Sequence, residues 1–132
     1  MKNILITGGG GYVGSNLTKE LLLDGYNVTV LDTFWFGNYL KTHKNLKILK
    51  KDIRMVSDRD IKNIDCIMHL ASIANDPAAE LNAKLTWDVN VLATYKLITL
   101  AITKKVKKFI FASSGSVYGI KKEQKVTEDL SL

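Results

Sequence analysis

The sequence predicts an α/β fold: a doubly wound parallel sheet with strand order 3-2-1-4-5 and helices on both faces. Short apolar segments with strand character alternate along the chain with segments of helical periodicity. The first strand runs directly into a glycine-rich turn that opens a helix, which is typical of such sheets. Pro77 is the only proline and no repeat or linker breaks the alternation, so residues 1–132 are expected to form a single domain.

Five strands and three helices follow from this alternation. The strands are predicted at Asn3–Thr7, Asn27–Asp32, Leu46–Lys50, Cys66–Ala71 and Lys108–Ser113. The helices are predicted at Tyr12–Leu23, at about Ala79–Lys104 and, briefly, around Ser57–Ile61. Right-handed crossovers between parallel strands then place the first strand at the centre of the sheet.

The turn after the first strand is the most informative segment. It contains the glycine run Gly8 to Gly11 and a further glycine, Gly14, and two spacings fit it: Gly9-x-Gly11-x-x-Gly14 and Gly8-x-x-Gly11-x-x-Gly14. Glycine permits the backbone angles of such a turn and lets main-chain N–H groups approach a ligand closely. Because the first turn of a helix leaves N–H groups unpaired at its positive end, an anion is favoured there.

An acidic residue completes the pattern. The helix after the turn is amphipathic, with Val13, Leu17 and Leu21 four residues apart, and the second strand ends at Asp32. An acid at this distance accepts hydrogen bonds from the ribose of an adenosine. The sequence therefore predicts a Rossmann-type dinucleotide site, and because Asp32 would repel a ribose phosphate, NAD is favoured over NADP.

Ligands of such sheets bind beyond the carboxyl ends of the strands. After the third strand, the Asp52 carboxylate can accept from an adenine amino group while Ile53 packs on the ring; the alternative is a helix-start aspartate beside a core isoleucine. The residues that follow the strands, and are expected to share one rim, are Gly8–Val13, Asp32, Thr33, Asp52, Ile53, Leu70–Ser72, Ser113 and Ser114.

Two further titratable residues are interpreted as structural. His69 lies within an apolar strand and is predicted to be a packed core histidine, and no second histidine or acid stands at metal-ligand spacing, so no metal site is expected. Cys66 is the only cysteine and has apolar neighbours, which indicates a buried thiol. A lone cysteine, together with a core strand directly after Met1 in place of a secretory signal, predicts a cytoplasmic protein.

The net charge of +6 raises the possibility of a nucleic-acid partner. The basic residues are scattered, however, and their densest cluster lies at a predicted helix end, where cations suit the helix dipole. That cluster comprises Lys104, Lys105, Lys107 and Lys108. It is interpreted as a solvated face, and neither nucleic acid nor a membrane is expected as a partner, since no apolar run reaches membrane-spanning length.

The long predicted helix has two apolar stripes. The first comprises Leu81, Leu85, Val89, Leu92 and Leu100. The second comprises Trp87, Val91, Tyr95, Ile98 and Ile102. Because one stripe is enough to cover a sheet, the second predicts contact with another subunit in a homo-oligomer, or with a C-terminal half of the protein. Asn90, between the stripes, is predicted to anchor the helix to the loop after the fifth strand.

The segment Thr7-Gly8-Gly9-Gly10-Gly11-Tyr12-Val13-Gly14-Ser15 resembles the glycine motif of the extended short-chain dehydrogenase/reductases, the NAD-dependent epimerase/dehydratase family. Other motifs follow at that family's spacing over essentially the whole chain: Asp32, Asp52-Ile53, His69-Leu70-Ala71-Ser72, Asn90-Val91 and Ala112-Ser113-Ser114-Gly115-Ser116-Val117-Tyr118-Gly119. The resemblance implies the register Gly8, Gly11, Gly14. The predicted cofactor-binding residues are Gly8, Gly11, Tyr12 and Val13 (the last two through their N–H groups), Gly14, Asp32, Thr33, Asp52, Ile53, Leu70, Ala71, Ser72, Asn90 and Ser113.

Family members mostly oxidise a nucleotide-sugar hydroxyl, passing hydride to the nicotinamide, and then epimerise, dehydrate or re-reduce the keto intermediate. Their chemistry uses a Ser or Thr, a Tyr base and a Lys. The resemblance makes Ser114 the predicted catalytic Ser/Thr, which holds the reacting oxygen. The family's Tyr-x-x-x-Lys lies beyond Leu132, and the match at Tyr118–Lys122 falls in a turn, so Tyr118 is not predicted to be the base.

The chain is therefore expected to be the NAD-binding portion of a nucleotide-sugar epimerase or reductase, without the family's C-terminal substrate-binding part and with little or no activity alone. Family dehydratases carry Asp-Glu after the catalytic Ser/Thr, where this chain has Gly115-Ser116 without an ionisable group. An epimerase or reductase is therefore favoured over a dehydratase. The alternative function is a non-catalytic dinucleotide-binding module or redox sensor. Thr33–Gly37 is more aromatic than in many relatives, and is expected either to reshape the adenosine end or to cover core.

Overall fold

The computed structural model describes residues 2–74, 80–119 and 127–129, with the side chains of Gly115 and Ser116 excepted. Its centre is a five-stranded parallel sheet in the order β3-β2-β1-β4-β5, which confirms the predicted topology. The strands are β1 (Asn3–Thr7), β2 (Asn27–Asp32), β3 (Leu46–Lys50), β4 (Cys66–His69) and β5 (Lys108–Phe111).

Helices cover both faces of the sheet, as predicted. Helix α1 spans Tyr12–Leu23. On the other face, α2 (Ala83–Trp87) continues through a π-helical turn (Asp88–Leu92) into α3 (Ala93–Thr103). Short 3-10 turns lie at Ile53–Met55 and Gly115–Tyr118. None of the helices in this described part of the chain has the length and apolarity that a bilayer crossing requires.

The two faces bury separate apolar clusters because side chains alternate along each strand. Ile4 and Ile6 of β1 point towards α1, whereas Leu5 points towards α3. The α1 side also contains Val28, Val30 and Cys66. The α3 side contains Leu31, Ile53, Val56, Ile61, Ile67, Val89, Ala93, Leu97 and Ala101. The prediction that Cys66 is buried is confirmed, and burial raises the pKa of its thiol.

Two predicted strand boundaries are wrong. Strand β4 ends at His69 rather than Ala71, and β5 ends at Phe111 rather than Ser113. The last ladder bonds run from the Leu70 N–H to the Thr7 carbonyl and from the Ala112 N–H to the His69 carbonyl. Gly8 then turns β1 away with a φ of +77°, so the residues after β4 lose their partner strand.

The brief helix predicted around Ser57–Ile61 is replaced by turns, and the short helical turn lies earlier, at Ile53–Met55. The Asp60 carboxylate folds back onto the N–H and hydroxyl of Ser57, at 2.7 and 2.8 Å. Lys51 holds the same carboxylate at 2.7 Å. An aspartate that bonds backwards in this way stabilises a turn in competition with a helix.

The single helix predicted over Ala79–Lys104 is also wrong in detail, since the π turn divides it and Ala79 lies outside the described residues. Leu81 and Leu92 of the first predicted stripe are exposed. The buried face is instead formed by residues at four-residue intervals, Val89, Ala93, Leu97 and Ala101. Two of these are alanines, which allow the helix to lie close to the sheet but give a weak apolar signal in the sequence.

The second stripe is exposed, as the prediction of a surplus apolar face requires. It comprises Trp87, Val91, Tyr95, Ile98 and Ile102. In the cluster of four lysines after the helix, Lys104 pairs with Asp58 and Lys107 with Asp65, at 2.7 and 2.9 Å.

His69 is the packed, hydrogen-bonded core histidine that the sequence predicts. It is 1% exposed, its Nδ1 lies 2.5 Å from Thr7 Oγ1 and its Nε2 lies 2.7 Å from Thr94 Oγ1. The rings of Phe109 and Phe111 flank it, with centroids 6.2 and 5.6 Å away. This burial lowers the pKa of His69 from 6.5 to about 4, so the imidazole is neutral at pH 7.

We expect Leu97→Ala to lower the free energy of unfolding by about 2–5 kcal/mol, because it opens a cavity at a fully buried position. The matched control is Ile98→Ala on the same helix, at a side chain that is 39% exposed. Urea unfolding followed by circular dichroism measures both. Equal losses in the two variants would show that the buried face of α3 is wrongly assigned.

Stability should also depend on pH through His69. The unfolded chain binds a proton below pH 6.5, which the folded protein takes up only near pH 4. The free energy of unfolding is therefore fully expressed above pH 6.5 and should fall by roughly 3 kcal/mol as the pH drops from 6.5 to 4. Urea midpoints across this range measure the effect.

The carboxylates with lowered pKa values act mainly below this range. The pKa values of Asp52, Asp60 and Asp65 are lowered from 3.8, so the stability that they contribute is lost mainly below about pH 4. The variant His43→Gln removes the other histidine, so a slope that remains in this variant does not come from His43. A flat profile between pH 6.5 and 4 would contradict the buried neutral imidazole.

Candidate functional site

A cavity of about 450 Å³ lies beyond the carboxyl ends of the strands, where the strand order reverses. It is bounded by the glycine turn, by the segments after β2, β3 and β4, and by the residues after β5. The lining residues are Gly8, Gly10–Gly14, Leu31–Gly37, Lys51–Ile53, Leu70–Ala74, Val89, Ala112 and Ser113. Most of the predicted site residues therefore lie together at this cavity, as expected for residues that follow the carboxyl ends of the strands.

Gly8 and Gly14 are required by the fold of the turn itself. A Cβ at Gly14 would lie 2.3 Å from the Gly8 carbonyl oxygen, and one at Gly8 would lie 2.6 Å from the Ala71 nitrogen. Gly8 also has a φ of +77°, which disfavours other residues. These contacts bring the start of α1, the end of β1 and the segment after β4 against one another.

Gly11 differs from these two glycines. Its φ is −75°, and a Cβ there would meet only the Gly8 carbonyl oxygen, at an ordinary 3.4 Å. The protein itself therefore leaves room for a side chain at the position that precedes α1 and lines the cavity. The next N–H groups, on Tyr12, Val13 and Gly14, are those that a helix beginning here leaves without intrahelical partners. This arrangement suits an anion that must lie close to the backbone.

Asp32 lies across the cavity at the end of β2. Its carboxylate accepts from the Gly10 N–H at 2.9 Å and from the Phe34 N–H at 2.7 Å. These two bonds fix its orientation, and a carboxylate has further lone pairs with which to accept from a ligand. The bond to Gly10 links the second strand to the glycine turn, a contact that the sequence pattern does not predict.

The aromatic segment after β2 covers core, one of the two roles predicted for it, and its other predicted role at the adenosine end stays a prediction. Phe34 adopts a left-handed φ of +55° and packs in the α1-side core, where its ring would lie 2.7 Å from a Cβ at Gly10. Trp35 and Phe36 line the cavity yet are 60% and 89% exposed. The segment thus covers core with one ring and presents two others at the mouth of the cavity.

Asp52 and Ile53 line the cavity, but the structure matches the alternative interpretation of this pair. Asp52 caps the 3-10 turn through the Arg54 N–H at 2.8 Å and pairs with the Arg54 guanidinium at 2.6 Å. The side-chain hydrogen bonds from Arg54 lower the pKa of Asp52. Ile53 is a buried core residue. A contact from Asp52 to adenine stays a prediction.

Asn90 does not line the cavity, and its predicted anchor is wrong. The amide pairs with the main chain of Ile73, which follows β4, and not with the loop after β5: Oδ1 accepts from the Ile73 N–H at 2.8 Å and Nδ2 donates to the carbonyl at 3.0 Å. Ile73 lines the cavity, so Asn90 supports the wall from behind.

The segment after β5 brings only one of its two predicted serines to the cavity. Ser113 lines it, whereas Ser114 lies one residue further along and is not among the lining residues. Tyr118 ends the short 3-10 turn that follows. Lys122, the other member of the Tyr-x-x-x-Lys match, lies outside the described residues. Across residues 2–74, 80–119 and 127–129, no cluster of three His, Cys, Asp or Glu side chains has the arrangement of a metal site.

Several positions that line or support the cavity were not predicted from the sequence. Ile73 and Ala74 extend the predicted wall, and their place directly after Leu70–Ser72 is the signal that would have identified them. Lys51 lines the cavity beside Asp52. Thr94 and Thr7, which hold His69, carry no pattern that sequence inspection recognises.

Comparison with known proteins agrees with this geometry. Residues 4–132 match the sequence profile of the NAD dependent epimerase/dehydratase family. UDP-glucuronic acid decarboxylase 1 of Danio rerio is 39% identical over 124 residues, which are 89% of this chain and 28% of the relative.

Two solved structures show the same fold. The UDP-N-acetylglucosamine 4-epimerase from Methanobrevibacter ruminantium, in complex with UDP-N-acetylmuramic acid, superposes with a TM-score of 0.87 and 31% identity over 98% of this chain and 43% of that one. The UDP-glucose 4-epimerase of Thermus thermophilus, a complex with NAD, gives a TM-score of 0.82 and 27% identity over 96% and 42%.

The chain thus spans between 28% and 43% of the length of these three proteins. Within that span the family profile covers nearly every residue, and the glycine turn, Asp32 and the segment after β4 lie together at one cavity. The chain belongs to the NAD dependent epimerase/dehydratase family.

Proposed function

We propose that this chain is the NAD-binding domain of a nucleotide-sugar epimerase or reductase. The observation that carries the proposal is the space at Gly11, beside the start of α1 and opposite Asp32, in a cavity at the reversal of strand order. The protein does not need a glycine there for its own packing. A diphosphate bound close to the main chain does require a glycine there, because a side chain would occupy its place.

The residues present fit the two ends of a dinucleotide. In this proposal Tyr12, Val13 and Gly14 direct N–H groups at the diphosphate, and Asp32 accepts from the adenosine ribose. Thr33, Ile53 and the exposed rings of Trp35 and Phe36 border the adenosine end. The walls towards the nicotinamide end are formed by Leu70–Ser72 and Ser113. NAD, when bound, supplies the hydride acceptor of the reaction.

The negative charge of Asp32 also supports NAD over NADP. Two backbone N–H groups hold its carboxylate in the cavity lining. A ribose phosphate beside this carboxylate would place two like charges in contact, which disfavours binding.

The substrate class follows from the named relatives, which act on UDP-linked sugars or bind them. We extend this class to the whole protein of which these residues form the cofactor site. Ser114, directly after the lining residue Ser113, is proposed to hold the reacting sugar oxygen. The alternative, a non-catalytic dinucleotide-binding module, shares the NAD site, and turnover of a UDP-sugar by the whole protein would exclude it.

The location and assembly belong to the same proposal. The one cysteine is buried and reduced, which suits the cytoplasm. The exposed stripe on α2, the π turn and α3 supports contact with a second subunit or with a further part of the protein, because five large apolar side chains lie along one face.

The NAD site is tested by titrating NADH and following its fluorescence. We expect Gly11→Val to raise the dissociation constant at least about tenfold, because the new side chain occupies the space of the diphosphate. Leu23→Val is the matched control, since it places the same residue at an exposed position in the last turn of α1. Wild-type affinity in Gly11→Val would remove the diphosphate from the start of α1, and no NADH binding by the unaltered protein would refute the proposal.

Self-association is tested through Trp87, which is 58% exposed on the second stripe. A charge within an apolar interface opposes its burial, so Trp87→Glu should raise the dimer dissociation constant at least about tenfold. Sedimentation velocity over a range of concentrations measures it. Leu23→Glu, at an exposed position on α1, is the control. Sedimentation of Trp87→Glu that matches the unaltered protein would show that the stripe does not join two copies.

A further inference from the structure

Asn90 ties the wall of the cavity that follows β4 to the neighbouring helix. Asn90 lies in the π turn and makes two hydrogen bonds to the main chain of Ile73. Because Ile73 offers one donor and one acceptor, these bonds fix the orientation of the amide. Residues 70–74 line the cavity after leaving the sheet, so Asn90 holds this wall at Ile73.

Asn90 is in turn held from the core. Thr94 Oγ1 donates to the Asn90 carbonyl at 2.8 Å, and it also lies 2.7 Å from His69 Nε2. A hydroxyl has one hydrogen, which here points at the carbonyl, so Thr94 must accept from His69 Nε2–H. His69 is neutral, which leaves Nδ1 without a hydrogen, and Thr7 Oγ1 donates to it. Every hydrogen in the chain Thr7–His69–Thr94–Asn90 is thereby assigned.

The backbone of the helix is distorted at this point. The Ala93 N–H donates to the Asp88 carbonyl five residues back, the signature of a π turn. Such turns alter the rotation of a helix and redirect the side chains beside them. Here the turn lies between the sheet, which His69 occupies, and the wall, which Asn90 contacts. Thr94 Oγ1 bonds both to His69 in the sheet and to the carbonyl of Asn90 in the turn. The side chain of Asn90 is the one that contacts the wall.

We infer that Thr94 is a positioning residue for the cofactor site: through its bonds to His69 and to the Asn90 carbonyl, it holds the wall formed by residues 70–74 in place. It touches no ligand, and its effect passes through Asn90 to Ile73. The part of this inference that concerns affinity rests on the proposed NAD site, whereas the part that concerns the wall does not.

The test compares Thr94→Val, which removes the hydroxyl but keeps the branched shape, with Thr94→Ser, which keeps the hydroxyl. Thr99→Val is the matched control, because Thr99 Oγ1 also donates to a carbonyl four residues back, that of Tyr95 at 3.0 Å, but on the exposed side of the same helix. Two quantities are measured in the full chain: hydrogen exchange at the Ile73 amide by NMR, and the dissociation constant of NADH.

We expect the Ile73 amide to exchange roughly five- to tenfold faster in Thr94→Val than in the unaltered protein. The Ile73 N–H donates to Asn90, and the substitution removes the buried hydrogen bond that holds Asn90 in place. NADH should bind more weakly by a comparable factor. Thr94→Ser should restore both quantities, and Thr99→Val should change neither. Amides of β1, such as that of Leu5, report global unfolding and serve as the internal reference.

The inference is overturned if Ile73 exchange in Thr94→Val changes no more than in Thr99→Val, or only in step with the Leu5 amide. If the unaltered protein fails to bind NADH, the proposed function falls, while Ile73 exchange still decides the role of Thr94. Should Thr94→Val not fold, Thr94→Cys decides instead, since a thiol is a weak acceptor for His69 Nε2–H.

Discussion

The architecture depends on a close approach of two backbone segments, the end of β1 and the first turn of α1. Gly14 and Gly8 meet where a methyl group would lie 2.3 Å from a carbonyl oxygen. Because no side chain fits between them, the axis of α1 is fixed relative to the sheet, and its N-terminus faces the rim where the strand order reverses. Gly8 also abuts Ala71, so the same approach positions the segment that leaves β4.

Two of the walls of the cavity are held by different means. One wall is backbone against backbone, at the glycine turn, and it is rigid because steric contact leaves no alternative arrangement. The other wall, after β4, is held by directional hydrogen bonds from Asn90 and, behind it, from Thr94 and His69. The first wall depends on the absence of side chains. The second depends on polar side chains buried in an apolar layer, where an unpaired partner is costly.

The sequence predicts the sheet well because buried parallel strands are short apolar runs, and crossover handedness then limits their order. The glycine turn and Asp32 were found from local spacing alone. The errors arise where tertiary contacts decide: the divergence of β4 from β1 after Gly8, the folding back of Asp60 onto Ser57, and the π turn. Because Ala93 and Ala101 give only a weak apolar signal, the sequence pattern did not identify the buried face of the helix. The partner of Asn90 depends on which loop lies above the helix, which no local pattern encodes.

Gly10 and Phe34 show one further consequence of this packing. A Cβ at Gly10 would lie 2.7 Å from the Phe34 ring and 3.1 Å from the Asp32 carboxyl carbon, so the aromatic ring fills the place that a larger residue at 10 would take. The two positions are therefore interdependent in this chain: a larger residue at position 10 requires the Phe34 ring to move away. The four-glycine run and the aromatic segment after β2 thus form one packing unit, and a change in one alters the space available to the other.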